Sequence, residues 1–221
     1  MKSSLFYTNE YLKVEQSIVE FLNARQDYLS ATTVKSPRAV GDAMQDILSE
    51  NFKDILANEH IKYSTTFARR AMADLAFEDA EGFYYVVDVK THRLYDTKFN
   101  MPNITSVERL SRFYEDDKNY FVLLFISYAV QGNQAVVKQA HFTPIEFLSW
   151  DCLTLGALGW GQIQIANSNV ITMKPGYSRR AWMIELCDNL LEFYPKEIEK
   201  IGKRIQYFEK VKEFWNKHPE E

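Results

Sequence analysis

The stretch MADLAFEDAEGFYYVVDVKTH, residues 72–92, decides the fold. Its second half, Phe83 to Lys90, is rich in aromatic and β-branched residues and reads as a strand, on which residues two apart project from the same face. Asp88 and Lys90 therefore stand side by side. Met72 to Phe77 reads as the partner strand, because Glu78, Asp79 and Gly82 make a polar, glycine-containing turn between two apolar runs. Folding this hairpin about Glu81 sets Asp74 directly opposite Asp88. Facing Cβ atoms lie roughly 5 Å apart, and like charges at that distance destabilise a sheet unless something positive sits between them. A divalent cation is the natural candidate.

The residue types say what such a site can do. Carboxylates are hard oxygen ligands suited to Mg²⁺, which also takes substrate phosphate, and the Val89 carbonyl offers a further ligand. Such an ion eases the loss of a proton from water and screens the charge that builds on a phosphate under attack. Lys90 would hold the attacking water or a scissile phosphate oxygen, and its charge helps to keep both aspartates ionised. A solvated hairpin with alternating charges is the bland alternative, since D-x-K by itself is a weak motif.

Asp74 followed by Asp88-Val89-Lys90 resembles the PD-(D/E)xK nuclease pattern, and the run DVKTHRLYDTKFNMPNI resembles type II restriction endonucleases of the HincII and EcoRV kind. LGALGWGQIQIAN, from Leu155 to Asn167, resembles the late strand of such enzymes, and GYSRRAW, from Gly176 to Trp182, the start of their C-terminal helical region. The likeness runs loosely from Pro37 onward. Ala73 stands where the family pattern has proline, a variable position. The resemblance implies an α/β fold with a mixed central β-sheet flanked by helices, a restriction-endonuclease-like core with C-terminal helices. It implies one such domain over residues 1–221, with N-terminal helices in 1–57, the catalytic sheet in 58–175 and C-terminal helices in 176–221. The activity it implies is Mg²⁺-dependent hydrolysis of phosphodiester bonds in double-stranded DNA at a short specific site, by a homodimer, because identical halves reading a palindrome need a twofold axis. Catalysis would rest on Asp74, Asp88 and Lys90, with Asp74, Asp88 and the Val89 carbonyl as metal ligands. Other readings are a repair or junction nuclease on the same core, a DNA-binding protein without catalysis, disfavoured by the intact trio, or a protein with no nucleic-acid role.

Composition bounds these readings. A chain of 221 residues suits one domain, with or without a helical appendage. The net charge of −4 runs mildly against nucleic-acid binding. Its distribution is uneven, though, and Lys90, His92, Arg93, Lys98, Arg109 and Arg112 form a locally basic run after Asp88. A basic rim beside paired carboxylates is what a phosphate-cleaving cleft needs; an unevenly charged solvated surface is the alternative. Cys152 and Cys187 are too few for a disulfide scaffold and are expected as buried free thiols in a reducing cytoplasm. No signal peptide is expected, and the longest apolar run, YFVLLFISYAV, is about half what a membrane helix requires.

Periodicity places the remaining elements. Apolar residues at helical spacing predict a helix over Asn9–Gln26 and another over Arg38–Leu56, with Ser30–Pro37 a polar connector. On the second helix Asp42 and Asp46 share a face. The resemblance favours Asp42 as a further acid near the metal, with a helix-surface carboxylate as the other possibility. Arg93–Pro102 reads as a loop, Thr105 and Glu108 at capping-box spacing predict a helix over Ile104–Glu115, and Thr143–Glu146 predicts a short helix to Trp150. YFVLLFISYAV reads as a buried strand, QAVVKQAHF as its return and GQIQIAN as the last strand. Pro195 separates a helix over Ser178–Phe193 from a charged one over Lys196–Lys217.

Base readers are sought in the loops beside the cleft. Asn100, Met101 and Asn103 follow the lysine, and an asparagine amide bonds bidentately to adenine while an apolar side chain wedges between base steps. Asn103 is the favoured contact, with a helix cap as its other reading. Gly156, Gly159 and Gly161 would admit close backbone approach near Gln162, or simply help packing. Asn167, Asn169, Lys174, Arg179 and Arg180 are candidate phosphate contacts, with His92, Arg93 and Lys98. A P-loop, a dinucleotide fingerprint and a zinc site find no support, since His60, His92, His141 and His218 have no ligand spacing.

Overall fold

The computed structural model describes residues 2–25, 35–56, 74–95, 101–132 and 134–219, with the backbone of 62–63. The chain divides into two compact units, Met1–Tyr177 and Ser178–Glu221.

The first unit is a mixed α/β structure. It opens with three helices, α1 (Ser4–Tyr7), α2 (Tyr11–Ala24) and α3 (Pro37–Leu56). Helix α2 buries Tyr11, Val14, Ile18 and Leu22, and α3 buries Val40, Met44, Leu48 and Phe52. That three-four spacing is the apolar stripe that helices present to a core. Among the described residues the strands follow as β1 (Lys62–Tyr63), β2 (Leu75–Glu78), β3 (Tyr84–Arg93), β4 (Asn103–Ser106), β5 (Asn119–Gln131), β6 (Gln134–Pro144), β7 (Leu153–Gly156) and β8 (Gln162–Ile165). A five-stranded sheet runs β1-β2-β3-β5-β6, and a three-stranded sheet runs β4-β8-β7. Strand β3 lies antiparallel to β2 and parallel to β5.

The two faces of β3 have different neighbours. Tyr85, Val87 and Val89 join the core formed with α2 and α3, as do Tyr120, Val122, Leu124 and Ile126 of β5. Helix α3 approaches β3 so closely at Gly41 that a Cβ there would meet the Thr91 Oγ1 at 2.7 Å. The opposite face carries Tyr84, Val86, Asp88, Lys90 and His92, since successive side chains alternate. That face meets helix α4 (Val107–Phe113), where Tyr84 and Phe113 pack edge to face at 6.2 Å.

The β2–β3 turn is held by one carboxylate. Asp79 Oδ1 accepts from the Glu81 and Phe83 amides, each at 2.9 Å, and its Oδ2 accepts from the Tyr85 hydroxyl at 2.5 Å. Gly82 supplies the positive φ of +76° that the turn requires.

The structure corrects several expectations in the later part of the chain. Asn103–Ser106 is a strand, and the helix begins only at Val107, because pairing with β8 outweighs the capping-box signal at Thr105. The working N-cap is Ser106, whose Oγ accepts from the Arg109 amide at 3.4 Å. The proline-led helix toward Trp150 is instead two separate 3₁₀ turns, Ile145–Phe147 and Trp150–Cys152, because Leu148 leaves the first for an extended bridge to Met173. The GQIQIAN strand belongs to the small sheet and pairs with the unforeseen β7.

In the second unit, a single helix α5 (Arg179–Asn216) replaces the two expected, with Pro195 inside it. A proline costs an internal helix about 3 kcal/mol and one hydrogen bond, which long helical runs on both sides outweigh. Cys152 is buried and burial raises its thiol pKa, whereas Cys187, also expected to be buried, is exposed on α5. Among the described residues, no helix is long and apolar enough to cross a membrane.

Candidate active site

The hairpin register places the acids. Leu75 pairs with Val87, so the next place along sets Asp74 against Asp88. Asp74 sits in the bend just before β2 and stays beside Asp88: its amide donates to the Val87 carbonyl at 3.1 Å, and the Val89 amide donates to its Oδ2 at 2.7 Å. Within a strand a residue's N–H and C=O leave by the same edge, so the Val89 carbonyl lies on Asp74's side of β3.

Both oxygens of Asp74 are engaged, whereas Asp88 has one engaged oxygen and one that is not. Asp88 Oδ1 accepts from Lys90 Nζ at 2.7 Å, and both side chains are mostly buried, 15% and 24% exposed. Asp88 Oδ2 is buried and has no hydrogen-bond partner among the described residues. Burial pushes the Asp88 carboxyl up to about 7; Lys90 opposes that shift and the charge of Asp74 adds to it. Asp74 Oδ1 accepts from Gln45 Nε2 of α3. Gln45 thus orients Asp74 from outside the hairpin, and sequence reasoning missed it.

Asp42 does not join them. It is an exposed side chain facing Arg38 at 4.0 Å, one turn away on the outer side of α3. Helical phase carried that signal. At about 100° per residue, Asp42 lies about 160° around the helix from buried Met44, whereas Gln45 lies at the edge of the buried stripe.

The donor set suits a hard cation. A buried carboxylate oxygen without a donor calls for a proton or a cation, and two facing carboxylates sharpen the need. Among the described residues no group of three or more His, Cys, Asp and Glu side chains could hold a metal ion. A cation here would draw on Asp74, Asp88 and the Val89 carbonyl, leaving the rest of its shell to water and phosphate oxygens, which is the habit of Mg²⁺.

Further along this face His92 is buried, stacked on Phe125 at 6.0 Å between ring centroids, with its buried Nε2 lacking a hydrogen-bond partner among the described residues. Arg93 is half-buried at the end of β3. Lys98 and Asn100 lie outside the described residues. Before Asp88 on the same face, Val86 opens into a cavity of about 670 Å³ bounded by Phe121, Ile104, Leu110, Leu158 and Arg109. Arg112 also lines it, bonded to Glu108 at 2.8 Å and 5.9 Å from the ring of exposed Trp160.

The small sheet gathers amides. Asn103 is exposed on β4 and accepts through Oδ1 from Gln164 Nε2 at 2.5 Å, so it is a strand residue and not a helix cap. Gln162 and Gln164 share a face of β8, a pairing that the alternation Gln-Ile-Gln-Ile signals and that adds Gln164 to the expected Gln162. Gly156 makes room for Gln164, whose Oε1 would be 2.8 Å from an added Cβ, while Gly159 at φ +60° serves the β7–β8 turn. Met101 and Asn169 are exposed, Asn167 is half-buried and caps the Asn169 amide at 2.9 Å, and Lys174 lies 5.2 Å from the Tyr177 ring. Arg179 and Arg180 open α5 in the second unit.

Compared with known proteins, the chain matches no family model and no curated sequence.

Proposed function

We propose that this chain is a Mg²⁺-dependent endonuclease that hydrolyses phosphodiester bonds of double-stranded DNA at a short specific site, acting as a homodimer in the manner of type II restriction endonucleases. The observation that carries this reading is Asp74 beside Asp88, with Asp88 Oδ2 buried and without a partner among the described residues and Lys90 Nζ bonded to the same carboxylate.

Asp74, Asp88 and the Val89 carbonyl would hold the ion. When bound, Mg²⁺ supplies electrostatic stabilisation of a phosphate under attack and acidifies water. The protein's own groups do the rest. Gln45 and the Val89 amide fix the Asp74 carboxylate, so its oxygens need not reorganise when DNA arrives. Lys90, tethered to Asp88 Oδ1, presents a point charge whose donors can hold the nucleophilic water or a phosphate oxygen as negative charge builds. Asn103, Gln162 and Gln164 are amides of the kind that read base edges, and Arg93, Arg109 and Arg112 are cations of the kind that meet phosphates.

The test is to digest a long, fully sequenced DNA with the purified protein and Mg²⁺ and to map the ends. Ends at one short sequence, absent in EDTA and absent with Asp88→Ala, are the expected result. Ends clustered at junctions or lesions would assign the same chemistry to repair. No cleavage of any DNA by protein that binds Mg²⁺ would refute the nuclease reading.

A further inference from the structure

Helix α5 carries an apolar seam of exposed residues. Ile184, Leu191, Ile198 and Ile205 recur every seventh residue, and Lys212 continues the series. Three places later Cys187, Tyr194, Ile201, Phe208 and Trp215 recur with the same period. These are the a and d positions of a heptad, sustained along most of a 38-residue helix. A repeat of seven drifts about 20° per heptad on a straight helix, so keeping it over this length calls for supercoiling against another helix.

The seam is on the surface: Leu191 is 73% exposed, Ile198 70% and Trp215 65%. Its far half forms a groove lined by Ile201, Arg204, Ile205, Phe208, Glu209 and Lys212. Those are consecutive d, g, a, d, e and a positions, the residue set that surrounds a knob from a facing helix. The back of the helix is built for water. Glu192, Glu199 and Glu213 stand four residues before Lys196, Lys203 and Lys217, and the Glu199–Lys203 pair closes at 2.6 Å.

We propose that α5 pairs with α5 of a second copy of this chain as a parallel, in-register two-stranded coiled coil. Isoleucine at a positions is common to parallel two-stranded coils, the large Tyr194, Phe208 and Trp215 at d leave room for few helices around the seam, and a lone lysine at a, Lys212, sets register with its stem along the seam and its charge at the edge. The flanking charges agree. In a parallel pair the g residue Arg204 meets the e residue Glu209 of the partner helix, and symmetry repeats the contact. Both are exposed and so available to a partner. Pro195 and Gly202, at e, add no bulk between the helices. The assignment rests on α5 alone and holds whatever the first unit catalyses.

Sedimentation equilibrium of the full chain in EDTA, without DNA, tests it. The expected mass is twice 25.9 kDa. Ile205→Asp should weaken the dimer at least about tenfold, and Arg204→Glu should weaken it while the added Glu209→Arg restores it. Oxidation by copper phenanthroline should give a covalent dimer that Cys187→Ser abolishes, because facing cysteines in one d layer are close enough to bridge. A monomer at micromolar concentration, or a dimer indifferent to both the Ile205 and the charge changes, would overturn the proposal. A dimer lost with Ile205→Asp but not cross-linked through Cys187 would overturn the parallel register. A monomer that still cleaves DNA would sink the coiled coil and leave the nuclease standing.

Discussion

Replacing Asp88 by asparagine should stabilise the metal-free protein above neutral pH and leave it unchanged near pH 4. In the fold the carboxyl titrates at about 7 against 3.8 for an ordinary aspartate, chiefly because it is buried. Between those values the folded chain holds a proton that the unfolded chain has released, so stability falls as pH rises from about 4 to about 7 and then levels. The shift spans about 3 units, and at about 1.4 kcal/mol per unit its ceiling is about 4 kcal/mol. Asparagine never ionises, and its Oδ1 still accepts from Lys90. Urea unfolding in EDTA across pH 4 to 8 measures the difference between the two proteins. Glu15 also titrates at about 7 through burial, so each single profile will fall, but Glu15 is common to both and cancels. Mg²⁺ at a hundred times its dissociation constant should then return about 2.7 kcal/mol to the wild type at pH 8 and little to Asp88→Asn. Parallel profiles for the two proteins would refute the claim that Asp88 is buried, unpaired on one oxygen and awaiting a cation.

Asp74→Ala and Asp88→Ala should each abolish Mg²⁺-dependent cleavage while DNA binding in Ca²⁺ survives, read by gel shift beside a cleavage assay. Lys90→Ala should slow single-turnover cleavage by at least about 100-fold, and Lys90→Arg should not restore it, because a planar fork replaces a point charge poorly. Gln45→Leu should lower apparent Mg²⁺ affinity by roughly 10- to 100-fold in a metal titration of the rate, whereas Asp42→Ala should leave it unchanged. Gln164→Ala and Asn103→Ala should each cost roughly 1 to 3 kcal/mol of discrimination between cognate and scrambled duplexes, with non-specific affinity held; a fall in thermal stability with the ratio intact would make them sheet residues only.

The hairpin was legible because its signals agree. A polar turn, period-two alternation and an aromatic, β-branched run all set the same register, and Asp79 fixes it with bonds to Glu81, Phe83 and Tyr85. Helices α2 and α3 were legible for the same reason. What failed were short signals judged without their neighbours. The capping pattern at Thr105 and Glu108 is real as a pattern, but Asn103, Thr105 and Ser106 pair with β8, a partner distant in sequence. The proline at 195 reads as a boundary only if the helix has nothing to gain beyond it. The resemblance favours Asp42, but its helical phase turns it off the buried stripe toward Arg38. Gln45 carries no charge, so nothing in a search for carboxylates would have stopped at it.

The bonds that close the first unit reach far along the chain. The Ser3 amide donates to the Tyr120 hydroxyl, Asn23 exchanges bonds with Val137, and the Phe142 amide donates to Glu15 across 127 positions. Helix α2 is made early during synthesis, yet β6, the strand it packs on, is the last of the five-stranded sheet to emerge. At about 5 to 20 residues per second the ribosome needs roughly 6 to 25 s to supply Phe142 after Glu15. Through that interval Ile18 and Leu22, both later buried, lack the strand on which α2 packs. The polypeptide is therefore obliged to wait with its apolar stripes uncovered, and the demand for a chaperone should fall on the nascent N-terminal third and end when β6 clears the exit tunnel.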